Sequence, residues 1–153
     1  MSRVVFMCGP AGSGKTAYAT RLEAQGMVRL SIDAELWRRG VVEAPVDPTV
    51  EAEVESDLRE ELRRLVDAGR DVVLDLSFWS RRMRDEWRQL LEPFGIVPET
   101  FYLATDPETV LRRLRGRRGA HGDDVVVPDA LAARYLDDFE VPTPDEGPLT
   151  VVR

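Results

Sequence analysis

Apolar residues recur along this chain with two alternating periods. Val4-Val5-Phe6-Met7-Cys8 and Val72-Val73-Leu74-Asp75-Leu76 are short continuous runs rich in β-branched side chains, the pattern of strands buried on both faces. Val28-Arg29-Leu30-Ser31-Ile32 alternates and reads as a strand ending at Asp33, and Thr100-Phe101-Tyr102-Leu103-Ala104 and Leu149-Thr150-Val151-Val152 complete five. Between them the apolar spacing changes to that of helices. Residues 14–25 have helical composition and stop at Gly26, and residues 34–39 form a short helical piece closed by Gly40. After a loop at 41–49 with Pro45 and Pro48, Val54, Leu58, Leu62, Leu65 and Val66 mark a long amphipathic helix from Val50 to Gly69.

Ser80 is placed to cap a helix whose apolar face is Met83, Trp87, Leu90 and Leu91, stopped by Pro93 and Gly95. Asp106-Pro107-Glu108 opens another, with proline in its first turn and Val110, Leu111 and Leu114 inside, and residues 128–139 give a last one. Strands alternating with helices predict an α/β fold with a mainly parallel sheet covered on both faces. With 153 residues and no internal repeat, the expectation is a single domain over 1–153.

Composition adds limits. No apolar run approaches the roughly 20 residues needed to span a bilayer, and the apolar segment after Met1-Ser2-Arg3 is too short for a signal peptide. One cysteine, Cys8, cannot form an internal disulfide and reads as core, so the expected location is the cytoplasm. A net charge of −7 disfavours a protein that coats nucleic acid. The charges are unevenly placed. Arg81, Arg82, Arg84 and Arg88 form one basic cluster, Arg112, Arg113, Arg115, Arg117 and Arg118 a second, and acid gathers from Asp123 onward. Of 21 basic residues, 20 are arginine; the solitary lysine is Lys15.

That lysine lies in Gly9-Pro10-Ala11-Gly12-Ser13-Gly14-Lys15-Thr16, the pattern Gly-x4-Gly-Lys-Ser/Thr of a phosphate-binding loop. With glycine near 7% of residues, it arises by accident in roughly 1 in 200 chains of this length. Here it also follows an apolar strand and opens a helix, as it must. Gly9, Ala11, Gly12, Ser13 and Gly14 would turn their amides toward an anion, and the helix N-terminus adds its dipole. Lys15 would reach the β and γ phosphates of ATP, and the Thr16 hydroxyl would hold Mg²⁺. A guanine-reading GTPase needs an Asn/Thr-Lys-x-Asp element, which a chain with no asparagine and no second lysine lacks. A motor ATPase needs more chain for its coupling elements, whereas a small kinase fits.

Four segments carry a resemblance over nearly the whole chain: GPAGSGKT (9–16), LSID (30–33), GRDVVLDLSFWSRRMR (69–84), and RLRGR (113–117) with FEVPTPDEG (139–147). In these the chain resembles the small P-loop kinases. That group includes polynucleotide 5′-hydroxyl kinase, chloramphenicol phosphotransferase, gluconate and shikimate kinases and zeta-toxin-like proteins, and the nearest likeness is to short AAA-like predicted kinases of bacteria. The resemblance implies a P-loop three-layer sandwich with sheet order 2-3-1-4-5 and an Arg-rich lid at about 115–128. It implies ATP-dependent transfer to a hydroxyl acceptor that is a small molecule, with a polynucleotide end or a partner-directed ATPase as alternatives.

In that group the acid ending the second strand faces the acceptor hydroxyl, and Asp33 matches it; a carboxylate there can accept the hydroxyl proton or cap the helix from Ala34. Asp75 ends the third strand, as an acid would that holds Mg²⁺ or touches the acceptor, or it caps the following turn. Arg84 matches an arginine facing the acceptor pocket, although a solvated helix face also accounts for such a residue. Arg113 and Arg117 match the lid pair, which would neutralise charge on the transferring phosphoryl group, or they belong to a basic helix end. Gly116, Gly119 and Gly122 would give hinge freedom. His121 reads as a solvated loop residue, and residues 41–55 with Trp37, Phe78 and Trp79 as the walls of the acceptor pocket, with core as the alternative for Phe78 and Trp79.

Two departures separate the chain from some relatives. Ser31-Ile32-Asp33 replaces Asp-x-Asp, and Leu36 stands where the polynucleotide kinases place arginine.

Overall fold

The computed structural model describes residues 2–119, 122 and 125–153. Five strands, β1 (Val4–Cys8), β2 (Val28–Ser31), β3 (Val72–Asp75), β4 (Glu99–Leu103) and β5 (Leu149–Val152), form one sheet in the order β2-β3-β1-β4-β5, every pair parallel. The expected order and the expected parallel sheet are both observed. Six helices connect the strands: α1 (Lys15–Ala24), α2 (Ile32–Arg38), α3 (Pro48–Asp67), α4 (Arg81–Leu91), α5 (Pro107–Arg115) and α6 (Asp129–Asp138).

The continuous apolar run of β1 is explained by its central place. Val4, Phe6 and Cys8 enter a core built with α3 and α4, through Val54, Leu58, Leu62, Trp87 and Leu91. Val5 and Met7 enter the opposite core with Ala19 and Leu22 of α1. Alternating side chains of one strand therefore serve both layers. Leu62 is fully buried, so its truncation to alanine would cost about 2–5 kcal/mol. A third cluster joins α5 to α6 through Val110, Leu114 and Ala132, and Ala11 of the phosphate loop packs against it.

Boundaries shift where capping decides them. The second strand ends one residue early because the Ser31 hydroxyl accepts from the Ala34 amide at 3.2 Å, so α2 begins at Ile32. The long helix starts at Pro48 because the Asp47 carboxylate accepts from the Thr49 amide at 2.8 Å. Ser80 and Asp106 cap as expected, accepting from the Met83 and Thr109 amides. Among the described residues no helix is long and apolar enough to cross a membrane.

Candidate functional site

The phosphate loop leaves the carboxyl end of β1, the central strand, where ligands of open parallel sheets bind. Its entrance is held by the Gly9 amide, which donates to the Ser77 carbonyl at 3.0 Å. Gly12 and Gly14 have φ of 85° and 100°, which side chains rarely adopt. A Cβ on Gly12 would also come within 2.9 Å of the Val110 carbonyl oxygen. No side chain caps α1 at Gly14, and its first turn holds no acid; its leading amides therefore face an anion with nothing competing. The Thr105 hydroxyl, just past β4, donates to the Ser13 carbonyl at 2.6 Å and braces the loop from the far side. Sequence gave no sign of this contact, because 92 residues separate the partners.

Lys15 is 6% exposed and lines a cleft of about 350 Å³ beside the loop. Among the described residues its ammonium makes no ion pair or side-chain hydrogen bond.

Asp75 ends β3 in register with Ser31 of β2 and Met7 of β1. Its Oδ2 accepts from the Thr16 hydroxyl at 2.9 Å and from Arg29 at 2.7 and 3.1 Å. Its Oδ1 is buried with no hydrogen-bond partner among the described residues. Thr16 and Asp75 thus meet, joining two separate expectations. A hydroxyl and a carboxylate oxygen in contact, with a second carboxylate oxygen unsatisfied, form an all-oxygen donor set that suits Mg²⁺. Arg29 was not foreseen; it lies two residues before Ser31 in β2 and so shares a face of the sheet with it.

Asp33 lies in the first turn of α2 and lines the cleft. The capping role open to it from sequence is filled by Ser31 instead. The walls are apolar at Ile32, Leu36, Val46, Val125 and Val127 and aromatic at Trp79 and Tyr135. Glu51 and Asp138 complete the rim. Of Trp37, Phe78 and Trp79, Trp79 lines the cleft and Phe78 takes the core position that was its alternative. Phe78 is buried and stacked on Phe6, with ring centroids 4.4 Å apart, and Trp37 lies outside the lining at 39% exposed. Ala44, Val46 and Glu51, from the expected wall segment 41–55, line the cleft, whereas Tyr135 and Asp138 were not singled out by sequence, since they come from a helix whose other face explains its pattern.

The two expected lid arginines occupy different stations. Arg113, near the end of α5, donates to the Gly12 carbonyl at 3.2 Å and sits at the phosphate loop. Arg117 lies beyond the helix, lines the cleft and donates to the Val125 carbonyl at 3.1 Å. The segment that follows is tied to the loop after α2: the Val126 amide donates to the Val42 carbonyl, and the Ala44 amide to the Val126 carbonyl, at 2.8 and 2.7 Å. Two glycines expected as hinges also allow close packing. A Cβ on Gly119 would meet Val42 at 3.3 Å, and one on Gly122 would meet Ala34 at 3.4 Å. His121 lies outside the described residues.

Arg84 corrects the sequence reading. It does not line the cleft and is fully buried. Its Nη1 donates to the carbonyls of Phe78 and Glu140 at 2.7 and 2.9 Å, and its Nε and Nη2 grip the Glu146 carboxylate at 2.7 and 3.1 Å. The physical reason is the acidic segment before β5, which returns over α4 and claims the guanidinium. There Pro144–Glu146 form a short 3₁₀ turn. Burial raises the Glu146 pKa, but the Arg84 hydrogen bonds and the Thr143 amide outweigh it and hold the carboxyl at about 2. Phe78, the residue so clamped, has φ of 51°, and the next residue is Trp79 of the cleft wall. Cys8, whose thiol points at the Phe78 carbonyl, is pushed up to about 12 by burial and stays neutral.

The chain matches the family model described as AAA domain over residues 4–142. No curated protein matches it. Among solved structures it is similar to an unliganded sugar kinase from Janibacter sp. HTCC2649, at 23% identity and TM-score 0.69, covering 99% of this chain and 85% of that one. It is similar to a gluconokinase from Sinorhizobium meliloti 1021 at 20% identity and TM-score 0.67, covering 98% and 81%. It is also similar to Kti12 from Chaetomium thermophilum in complex with ADP-AlF3, at 21% identity and TM-score 0.71, covering 97% and 88%. At these identities the likeness is one of fold, and it is shared by kinases and by a nucleotide-bound protein not named as one. The phosphate loop, the parallel 2-3-1-4-5 sheet and the reach of the family model agree: this chain belongs to the AAA-domain family of P-loop proteins.

Proposed function

We propose that this protein transfers the γ-phosphoryl group of ATP to a hydroxyl group of a small-molecule acceptor. The observation that carries this reading is a single cleft lined by both Lys15 of the phosphate loop and Asp33 at the sheet edge. A phosphate cradle alone supports binding or hydrolysis; a carboxylate across the same cavity gives a second substrate its proton acceptor. At about 350 Å³ the cleft matches a small acceptor.

In this reading the loop amides and Lys15 hold the phosphates. Asp33 orients the acceptor hydroxyl and takes its proton as the oxygen bonds to the γ-phosphorus, and ADP leaves with the electrons of the broken β–γ bridge. Arg113 and Arg117 close on the phosphoryl oxygens; of the expected lid at about 115–128, residues 120, 121, 123 and 124 lie outside the described residues. Thr16 and Asp75 would hold Mg²⁺, which when bound neutralises phosphate charge.

Leu36, an apolar residue in the cleft, disfavours a polynucleotide 5′-hydroxyl as acceptor. The rival class is an ATPase whose output is a partner interaction. ADP release measured with and without a panel of hydroxyl compounds separates the two. Acceptor-dependent turnover that collapses in Asp33→Asn is expected. Turnover indifferent to every compound, with Asp33→Asn as active as wild type, would sink the transferase reading.

A further inference from the structure

We infer that Arg29 makes the metal site selective for Mg²⁺ over Ca²⁺, by pinning one oxygen of Asp75 and leaving only the other for the ion. This inference rests on the nucleotide and Mg²⁺ part of the transferase reading and adds a positioning residue from outside the phosphate loop and the lid.

Strand register makes Arg29 and Asp75 neighbours. Arg29 of β2 stands opposite Val73 of β3, and Asp75, two residues on, shares that face of the sheet. The pair is enclosed, with side chains 12% and 2% exposed for Arg29 and Asp75. Its geometry differs from that of the buried pair on α4. Arg84 gives Nε to one carboxylate oxygen of Glu146 and Nη2 to the other, the fork-on-fork arrangement that satisfies both oxygens. Arg29 turns the same two nitrogens onto Oδ2 of Asp75 alone, at 3.1 and 2.7 Å, and the Thr16 hydroxyl joins them at 2.9 Å. Oδ1 is left buried without a hydrogen-bond partner among the described residues.

A pair built only for stability would satisfy both oxygens, because an orphaned buried acceptor costs free energy. This one satisfies a single oxygen and holds the other in reserve, in a residue that lines the cleft together with Lys15. Three donors on Oδ2 oppose rotation of the carboxylate, so Asp75 has one oxygen to offer a cation. That suits Mg²⁺, which uses one or two carboxylates, keeps several waters and demands near-ideal octahedral geometry. Ca²⁺ takes more oxygens, often both of one carboxylate, from ligands free to adjust. A pinned carboxylate with one open oxygen withholds that second ligand. Without Arg29, Asp75 would be free to turn both oxygens to the ion, and the larger cation would gain.

Calorimetric titration of ADP into the protein, with Mg²⁺, with Ca²⁺ and with EDTA, measures this choice without any acceptor. In wild type Mg²⁺ is expected to tighten ADP binding about tenfold or more beyond what Ca²⁺ achieves. Arg29→Met should shrink that ratio about tenfold, chiefly by gaining affinity in Ca²⁺. Arg29→Lys, which puts one ammonium where two nitrogens gripped, should shrink it about threefold, and it carries the test where Arg29→Met does not fold. Urea midpoints taken alongside separate the roles. Variants less stable than wild type but with its Mg²⁺/Ca²⁺ ratio intact would make Arg29 a structural partner only and overturn the inference. A wild type that binds ADP equally well with either ion would overturn it too. ADP binding in wild type that neither ion strengthens would overturn the inference together with the metal assignment of Thr16 and Asp75. The transferase reading is tested apart from these outcomes, by acceptor-dependent ADP release.

Discussion

Arginines 81–88 lie on α4 and arginines 112–118 on and after α5, both clusters near the carboxyl side of the sheet, yet they meet opposite partners. Arg84 grips Glu146, Arg88 reaches Asp85 and Glu146, and Arg81 reaches Asp145. Among the described residues Arg113 and Arg117 bond only to the carbonyls of Gly12 and Val125. A carbonyl positions a guanidinium without cancelling its charge. The first cluster is therefore spent on structure, whereas in the second Arg115 pairs with Asp129 and Arg113 and Arg117 keep a positive potential beside the phosphate loop. Local sequence cannot distinguish them, because both are arginine-rich helix segments. The distinction is made by a third segment, residues 140–146, which returns over one and not the other.

Breaking the first cluster should give the largest effect on stability. Arg84→Met removes the two-point grip on a Glu146 side chain that is 2% exposed in the folded protein and leaves it only Arg88 at 3.3 Å and the Thr143 amide. Loss of one partner of such a buried pair costs about 3–5 kcal/mol, and replacing both with apolar residues recovers much of it. Urea unfolding should therefore show Arg84→Met severely destabilised and Arg84→Met/Glu146→Met substantially restored. A single variant as stable as wild type would mean that the pair is a surface contact.

The second cluster should respond in the opposite measurement. Arg117→Ala removes a charge that lines the cleft and holds only one carbonyl. Its kcat is expected to fall about 10²–10³-fold, the cost of losing one preorganised donor at a developing charge. Its urea midpoint should stay close to that of wild type. A variant that lost stability and kept kcat would place Arg117 with Arg84.

The Glu146 carboxyl makes the comparison pH-dependent. Its folded pKa, about 2, lies below the ordinary 4.5. A depressed pKa adds stability that is fully present above the unfolded value and is lost as pH falls through the folded one. The window is thus from about 4.5 down to about 2, with on the order of 3 kcal/mol at stake. Wild type should lose this increment on acidification, and Glu146→Gln, already lacking it at neutral pH, should give a flatter profile over the same range. Equal slopes in the two proteins would remove Glu146 from the acid response.

These expectations also mark what the sequence could and could not reveal. The buried strands, the helix caps at Ser80 and Asp106 and the glycine loop are legible because each is fixed by residues within one turn or one strand. Asp33 and Asp75 were legible for a similar reason: each stands at the end of an apolar run, which in a parallel sheet is the ligand-binding edge. Arg84, Glu146, Thr105 and Arg29 were not, since each acts through a partner 46 to 92 residues away. Ser31 as cap is the instructive intermediate. It lay beside Asp33 in the motif, and only the backbone turn at Ile32 decides which of the two oxygens meets the Ala34 amide.

The smallest expected effect tests whether the phosphate loop needs charge for its own rigidity. Two of its braces are neutral, the Thr105 hydroxyl on the Ser13 carbonyl and the Gly9 amide on the Ser77 carbonyl, beside the charged contact of Arg113 with the Gly12 carbonyl. Thr105→Val keeps the volume and removes one donor. A neutral hydrogen bond contributes about 0.5–1.5 kcal/mol, so the variant should fold normally and bind ATP about 3–10-fold more weakly. Because the lost contact holds the loop rather than the phosphate, kcat at saturating ATP should change little, unlike that of Arg117→Ala. Titration with ATP while following ADP release would separate the two effects. A Thr105→Val enzyme with unchanged KM for ATP would mean that the glycine geometry, its packing on Val110 and the Arg113 contact hold the loop without Thr105. The remaining brace on the cradle would then be the charged one, Arg113 on the Gly12 carbonyl, which sets Arg113 between the folding role of Arg84 and the cleft-facing charge of Arg117.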